Sequence, residues 1–153
     1  MNYAHIHLML NHIPVVALPL ATLFLFFAVY KKNSQMKKFS LMVLILIGLL
    51  TIPVYYTGEP AEHQIEDFPG VTESVIQPHE ETAEKVLVIT LIMSGLSIAA
   101  LALHKNEKRH QQLVIAALCL AAFGSAGLLY TGYTGGQIRH TEARTPLFQP
   151  VNK

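Results

Sequence analysis

Charge is what this chain has least of. Charged residues fill 14% of its 153 positions, against roughly a quarter in an ordinary soluble domain. The shortage is concentrated in four stretches with no charged side chain: Ile13 to Tyr30, Phe39 to Tyr56, Val86 to Leu103 and Leu113 to Tyr130. A water-soluble fold is thereby excluded, because the remaining sequence is too short to cover four such blocks. Cysteine is nearly absent as well. Cys119 stands alone inside the fourth block, so no intrachain disulfide can form, and a small packed residue is its expected role. No basic region precedes the first block and no Ala-x-Ala-like site follows it, which argues against a cleaved signal peptide. No nucleophile is paired with a base: Thr90, Ser94 and Ser97 fall mid-block without a titratable neighbour. An enzyme is therefore less expected than an electron-transfer or accessory subunit. The glycine-rich "GYTGG" lacks a P-loop lysine. No block carries the Glu-x-x-His pair of carboxylate di-iron bundles. No concentrated basic surface suggests nucleic acid.

What is present is a regular alternation of apolar blocks and short polar joints. Each block is 18 residues long, about 27 Å as a helix, close to the hydrocarbon thickness of a bilayer. The expected fold is an all-α membrane protein, one domain over residues 1–153 with spans at about 13–30, 39–56, 86–103 and 113–130. Short joints between spans one and two, and three and four, favour antiparallel neighbours and an up-down four-helix bundle. Pro14 and Pro19 lie inside span one, where neighbouring helices can satisfy the freed carbonyls. In span four, Ala117, Ala121, Gly124, Ala126 and Gly127 form a small-residue packing face.

The charges that exist are sorted by side. The joints "KKNSQMKK" and "HKNEKRH" hold seven of the eleven lysines and arginines, while the connection from Thr57 to Lys85 holds eight of the ten acids. Short basic loops stay cytoplasmic, so both termini and the acidic connection 57–85 are expected outside. Within that connection "FPG" signals a turn and "VTESVIQ" a short surface helix. Gln77-Pro78, followed by Glu80, Glu81 and Glu84, marks a helix start at about Pro78. The tail is expected to be irregular, lying along the interface through Leu147 and Phe148.

Histidines mark the same end. His12 precedes span one, His79 opens the helix leading into span three, and His63 and His140 follow spans two and four. In an up-down bundle these four meet at one end, as a bis-histidine b-type haem or a metal ion requires. Arg139, Arg144 and Lys85 are placed to meet haem propionates. "HIHLM" offers a copper alternative: in extended chain His5, His7 and Met9 point the same way, a soft ligand set. On a helix they diverge. Tyr56 to His63, "YTGEPAEH", and Tyr133 to His140, "YTGGQIRH", echo one another. The shared Tyr-Thr-Gly is read as an interfacial helix exit, with tyrosine in the aromatic belt and glycine closing the helix in the left-handed conformation. The trailing histidine is read as the functional part.

"HLMLNHIP", His7 to Pro14, resembles the His-x3-[Val/Asn]-His-[Phe/Ile]-Pro signature that opens an uncharacterised family of bacterial four-span inner-membrane proteins. "TGEPAEH", "HEETAE" and "TGGQIRHTE" resemble other segments of that family, so the likeness covers essentially the whole chain. It implies a four-helix, multi-pass protein of the bacterial inner membrane, from a family sometimes suspected of holding haem; the termini that the charge pattern puts outside are then periplasmic. His7, His12, His79 and His140 match the family pattern. His63 departs from it, since a carboxylate is commoner there. The expectation is haem b, or copper or another metal, held by His12, His79 and His140, with His7 as fourth ligand, Arg139 beside them and His63 as a further metal ligand, for electron transfer to a periplasmic or membrane partner. The alternative is a cofactor-free accessory or assembly subunit that docks a partner through the acidic connection. A transporter is poorly served, because four uncharged spans offer no ion path unless the chain oligomerises.

Overall fold

The computed structural model describes residues 2–140 and Arg144. It is 86% helix, with no strand among the described residues. Four long helices form the bundle: α1 Tyr3–Tyr30, α2 Ser34–Tyr56, α4 Glu73–Ala102 and α5 Glu107–Arg139. A single-turn helix, α3 Gly58–Glu62, follows α2 directly. The expected tail contacts of Leu147 and Phe148 lie outside the described residues.

The helix starts follow from local chemistry. Asn2, Asn33 and Asn106 stand in extended conformation before α1, α2 and α5, and each side-chain oxygen accepts from the backbone N–H three residues on. That satisfies one of the donors a helix start leaves unpaired. α1 runs unbroken through Pro14 and Pro19. α4 begins at Glu73 and contains Pro78 near its start, so the separate surface helix expected for "VTESVIQ" is the first turns of α4 itself. Among the described glycines only Gly70 of "FPG" has positive φ, at 83°. Tyr-Thr-Gly is therefore not a left-handed exit. Gly135 lies within α5, which continues to Arg139, and Gly58 opens α3.

The core is a set of stripes, one per helix. α1 buries Pro14, Leu18, Ala21, Leu25 and Ala28, while α4 buries Val86, Thr90, Met93, Ser97 and Ala100. These two sets have the same spacing, residue for residue. α2 buries Ser40, Leu44, Ile47, Gly48 and Thr51 and α5 buries Ala117, Ala121, Gly124, Ser125 and Leu128, again with matched spacing. The fold is thus two similar helical hairpins, α1–α2 and α4–α5, packed α2 against α4 and α1 against α5. Of the small residues in span four, Ala117, Ala121 and Gly124 face the core, whereas Ala126 faces outward.

The outward faces are apolar: Phe24, Phe26, Phe27, Leu46, Ile92 and Phe123 are all exposed. Such surface has no stable place in water. All four long helices are long and apolar enough to cross a membrane. Inside, buried hydroxyls are tied to the helix backbone: Ser94 Oγ donates to the Thr90 carbonyl (2.9 Å), Ser97 Oγ to Met93 (2.8 Å) and Ser125 Oγ to Ala121 (2.7 Å). Two hydroxyl pairs bridge the hairpins, Thr22–Ser125 at 3.1 Å and Thr51–Thr90 at 3.0 Å.

Candidate functional site

The N-terminal ends of α1 and α4 and the C-terminal ends of α2 and α5 share one end of the bundle. Seven-residue spacing along α1 carries the buried stripe of Ala28, Ala21 and Pro14 back to His7, and the same step along α4 carries Ala100, Met93 and Val86 back to His79. Seven residues are close to two helical turns, so each histidine continues its helix's inward stripe just beyond the apolar block. α1 and α4 are not packed against one another along the bundle. At this end, however, the two imidazoles meet. Their ring centroids lie 6.4 Å apart with planes at 82°.

Each ring is held by the second helix of its own hairpin. His7 Nδ1 is 3.0 Å from the Val54 carbonyl oxygen and 3.1 Å from Thr57 Oγ1, which itself donates to Val54 O at 2.8 Å. His79 Nδ1 is 3.0 Å from the Thr131 carbonyl oxygen and 3.4 Å from Thr134 Oγ1, which donates to Thr131 O at 3.1 Å. A carbonyl oxygen can only accept, so Nδ1 carries the proton in both rings and Nε2 carries the lone pair. A glycine completes each seat. A Cβ at Gly58 would come 3.7 Å from His7 Cε1, and one at Gly135 would come 3.0 Å from His79 Cε1. Val54, Thr57 and Gly58 thus correspond to Thr131, Thr134 and Gly135.

This explains the echo in the sequence. Tyr-Thr-Gly is the seat of a histidine borne by the preceding helix. His7 and Thr57 are 50 residues apart, His79 and Thr134 are 55 apart, so no single alignment brings both helices of the two hairpins into register. The trailing histidines are elsewhere. His63 is exposed, with Nδ1 3.4 Å from Glu66. His140 is exposed at the end of α5. His12 is exposed, and its Nδ1 bonds the Leu8 carbonyl of its own helix. No group of three or more His, Cys, Asp or Glu able to hold a metal ion occurs among the described residues. Because residues 3–30 are helical, His5, His7 and Met9 do not share a face, and the extended copper arrangement is not adopted.

The basic residues are spread differently from the expectation. Arg139 is exposed at the last turn of α5. Arg144 donates to the carbonyls of Gln137 (2.7 Å), Ile138 (3.0 Å) and Gly70 (2.6 Å), closing the end of α5 against the Phe68–Gly70 turn. Lys85 pairs with Glu81 at 3.6 Å. Glu62 of α3 faces α4. Partial burial, a hydrogen bond with Glu80, and the charges of Glu80 and Glu73 push its pKa up to about 7, against the opposing pull of His63. The carbonyls and threonines that receive the two Nδ1–H groups leave no signal in the sequence, because the bonds run between helices and set no spacing within either one.

No curated protein and no solved structure matches the chain. Residues 4–143, which take in both histidine seats and all four long helices, match the family described as "Predicted membrane protein (DUF2231)", and the chain belongs to that family.

Proposed function

We propose that the chain is a membrane redox protein that binds b-type haem through His7 and His79. The observation that carries this reading is the paired, oppositely seated imidazoles. A metal-ligating histidine usually gives its other ring N–H to a carbonyl or carboxylate, which fixes the tautomer and the ring orientation. His7 and His79 both do this through Nδ1, leaving two Nε2 lone pairs at one end of the bundle. The two rings are near enough for one bound group to be shared between them. The pair stands at 6.4 Å.

The donor set suits haem better than a bare ion. Structural zinc takes four protein ligands, whereas a haem would need only two imidazoles from the protein, which His7 and His79 would supply. A haem held there would supply one-electron chemistry. The Val54 and Thr131 carbonyls, with Thr57 and Thr134, would hold the two half-buried rings in the ligating tautomer. The lysine-rich joints at the opposite end support, by the positive-inside rule, a histidine end outside the cytoplasm, where electrons would pass to a periplasmic or membrane partner.

An absorption spectrum of the purified protein, with and without dithionite, tests the reading. A Soret band that shifts on reduction is expected, lost in His7→Ala and in His79→Ala and retained in His12→Ala, His63→Ala and His140→Ala. A wild-type protein with no haem absorbance and background metal content ends it.

A further inference from the structure

The opposite end of the bundle carries a second feature. Between the α1–α2 turn and the start of α5 lies an open cleft of about 580 Å³, lined by Val29, Lys32, Ser34, Lys37, Glu107, Lys108, Gln111 and Gln112. Three lysines face one carboxylate there. Lys37 is only 7% exposed, the one charged residue among the described buried side chains. Its ammonium has a single amide contact, Gln111 Oε1 at 3.4 Å, and no carboxylate partner among the described residues. A buried cation without a counter-charge is costly, and a bound anion removes that cost.

Two further observations favour an anion. Lys32 has φ 52°, a left-handed conformation that glycine or asparagine adopts more readily. It occupies the position after the helix end, with Asn33 N–H donating to the Ala28 carbonyl at 2.9 Å, and its side chain lines the cleft. α2 and α5 also both begin here, so the positive ends of two long helix dipoles face the same space. The cleft sits just past the apolar block ending at Tyr30, where Lys31 stacks over the Tyr30 ring at 5.5 Å. That is the depth of lipid headgroups.

We propose that this cleft binds a phosphate group, held by Lys32, Lys37 and Lys108 with Ser34, Gln111 and Gln112 as neutral donors. The phosphate is either the headgroup of an anionic phospholipid or part of a soluble phosphate compound. The full chain, purified in a neutral maltoside detergent, is titrated with dioctanoyl phosphatidylglycerol and separately with inorganic phosphate, and binding is followed by thermophoresis and thermal unfolding. Saturable binding is expected for at least one probe. It should weaken about tenfold or more in Lys37→Gln or in the double variant Lys32→Gln/Lys108→Gln, since each removes charge-assisted hydrogen bonds. The double variant alters exposed residues only, so it remains informative if Lys37→Gln fails to fold. Saturation by phosphatidylglycerol alone identifies a lipid headgroup, and saturation by inorganic phosphate identifies a soluble ligand. Absence of saturable binding by either probe, or binding undiminished in both variants, overturns the proposal.

Discussion

The two histidine seats are built from the same three parts but are tight in different places. At His7 the threonine is close, 3.1 Å from Nδ1, and the glycine is loose, 3.7 Å from Cε1 to a Cβ built on Gly58. At His79 the threonine stands off at 3.4 Å and the glycine presses, at 3.0 Å. The cause is the path of the second helix. α2 stops at Tyr56 and the chain turns into α3, so Gly58 swings away from the ring. α5 continues straight through Gly135 to Arg139, which keeps its backbone against His79. One seat is therefore centred on a hydroxyl, the other on a close backbone approach. A three-residue motif does not have one geometric meaning, because the helix around it sets which part bears on the ring.

The same correspondence continues below the seats, and there the hairpins differ most. Where Thr22 of α1 meets Ser125 of α5 through paired hydroxyls, the matching Ser94 of α4 meets Gly48 of α2. A Cβ on Gly48 would fall 1.9 Å from Ser94 Oγ and 2.8 Å from the Thr90 carbonyl oxygen. Gly48→Ala should give the largest loss, about 1–3 kcal/mol by the cost of overpacking a close contact, read as a lowered midpoint of thermal unfolding in detergent. Ser125→Ala, at the matching site, only removes a hydroxyl pair and should cost about 0.6 kcal/mol. Adding Ser94→Gly to Gly48→Ala should recover part of the loss but not all, since the Thr90 carbonyl stays in place. Equal effects of Gly48→Ala and Ser125→Ala would break the comparison.

At the seats themselves the expected effects are smaller and opposite in order. Gly135→Ala should crowd its ring more than Gly58→Ala, a cost set against the roughly 1 kcal/mol that alanine gains over glycine inside a helix, whereas Thr57→Val should destabilise more than Thr134→Val, by about 1 kcal/mol. Nitrogen NMR of the imidazoles offers a reading independent of any bound group: Gly135→Ala should move the His79 signals and leave His7 nearly unchanged. If both glycine variants moved both rings alike, the seats would be one coupled unit.

How much of this was legible in the sequence depends on whether the signal runs along a helix or between helices. The four spans, the two antiparallel hairpins and the turn at Gly70 follow from charge-free runs and local turn chemistry, and all are present. His79 is placed at the rim because Gln77-Pro78 reads as a helix start, although α4 in fact begins at Glu73 and His79 lies within it. Sequence alone favours His12 over His7, because His12 stands directly before the apolar block and the phase of α1 is not visible there. Five residues at about 100° each leave them on different faces, and the buried stripe through Pro14 and Ala21 selects His7. Tyr-Thr-Gly reads as a helix ending because glycine inside a helix costs about 1 kcal/mol relative to alanine. The His79 ring supplies the reason for keeping that glycine, and the ring comes from the preceding helix.

The smallest expected effect lies where the hairpins differ in outline. Only the first hairpin has α3, and Glu62 at its end reaches across to Glu80 and Glu73 of α4. A carboxyl whose pKa rises from an ordinary 4.5 to about 7 on folding binds more protons folded than unfolded between those values. Stability therefore falls as pH rises through this window, and the favourable protonated contact is fully present only below about 4.5. Glu62 is substantially solvated, so the slope should be shallow and further reduced by salt. Glu62→Gln keeps a hydrogen-bonding group facing Glu80 but cannot ionise, so it should flatten the dependence between pH 4.5 and 7 and match or exceed wild-type stability at pH 8. The reference is His63→Ala, which removes an opposing charge and should steepen the same slope. A Glu62→Gln profile parallel to wild type would mean that α3 is not held to α4 by this carboxyl pair, and the first hairpin's break would then be a feature of α2 alone.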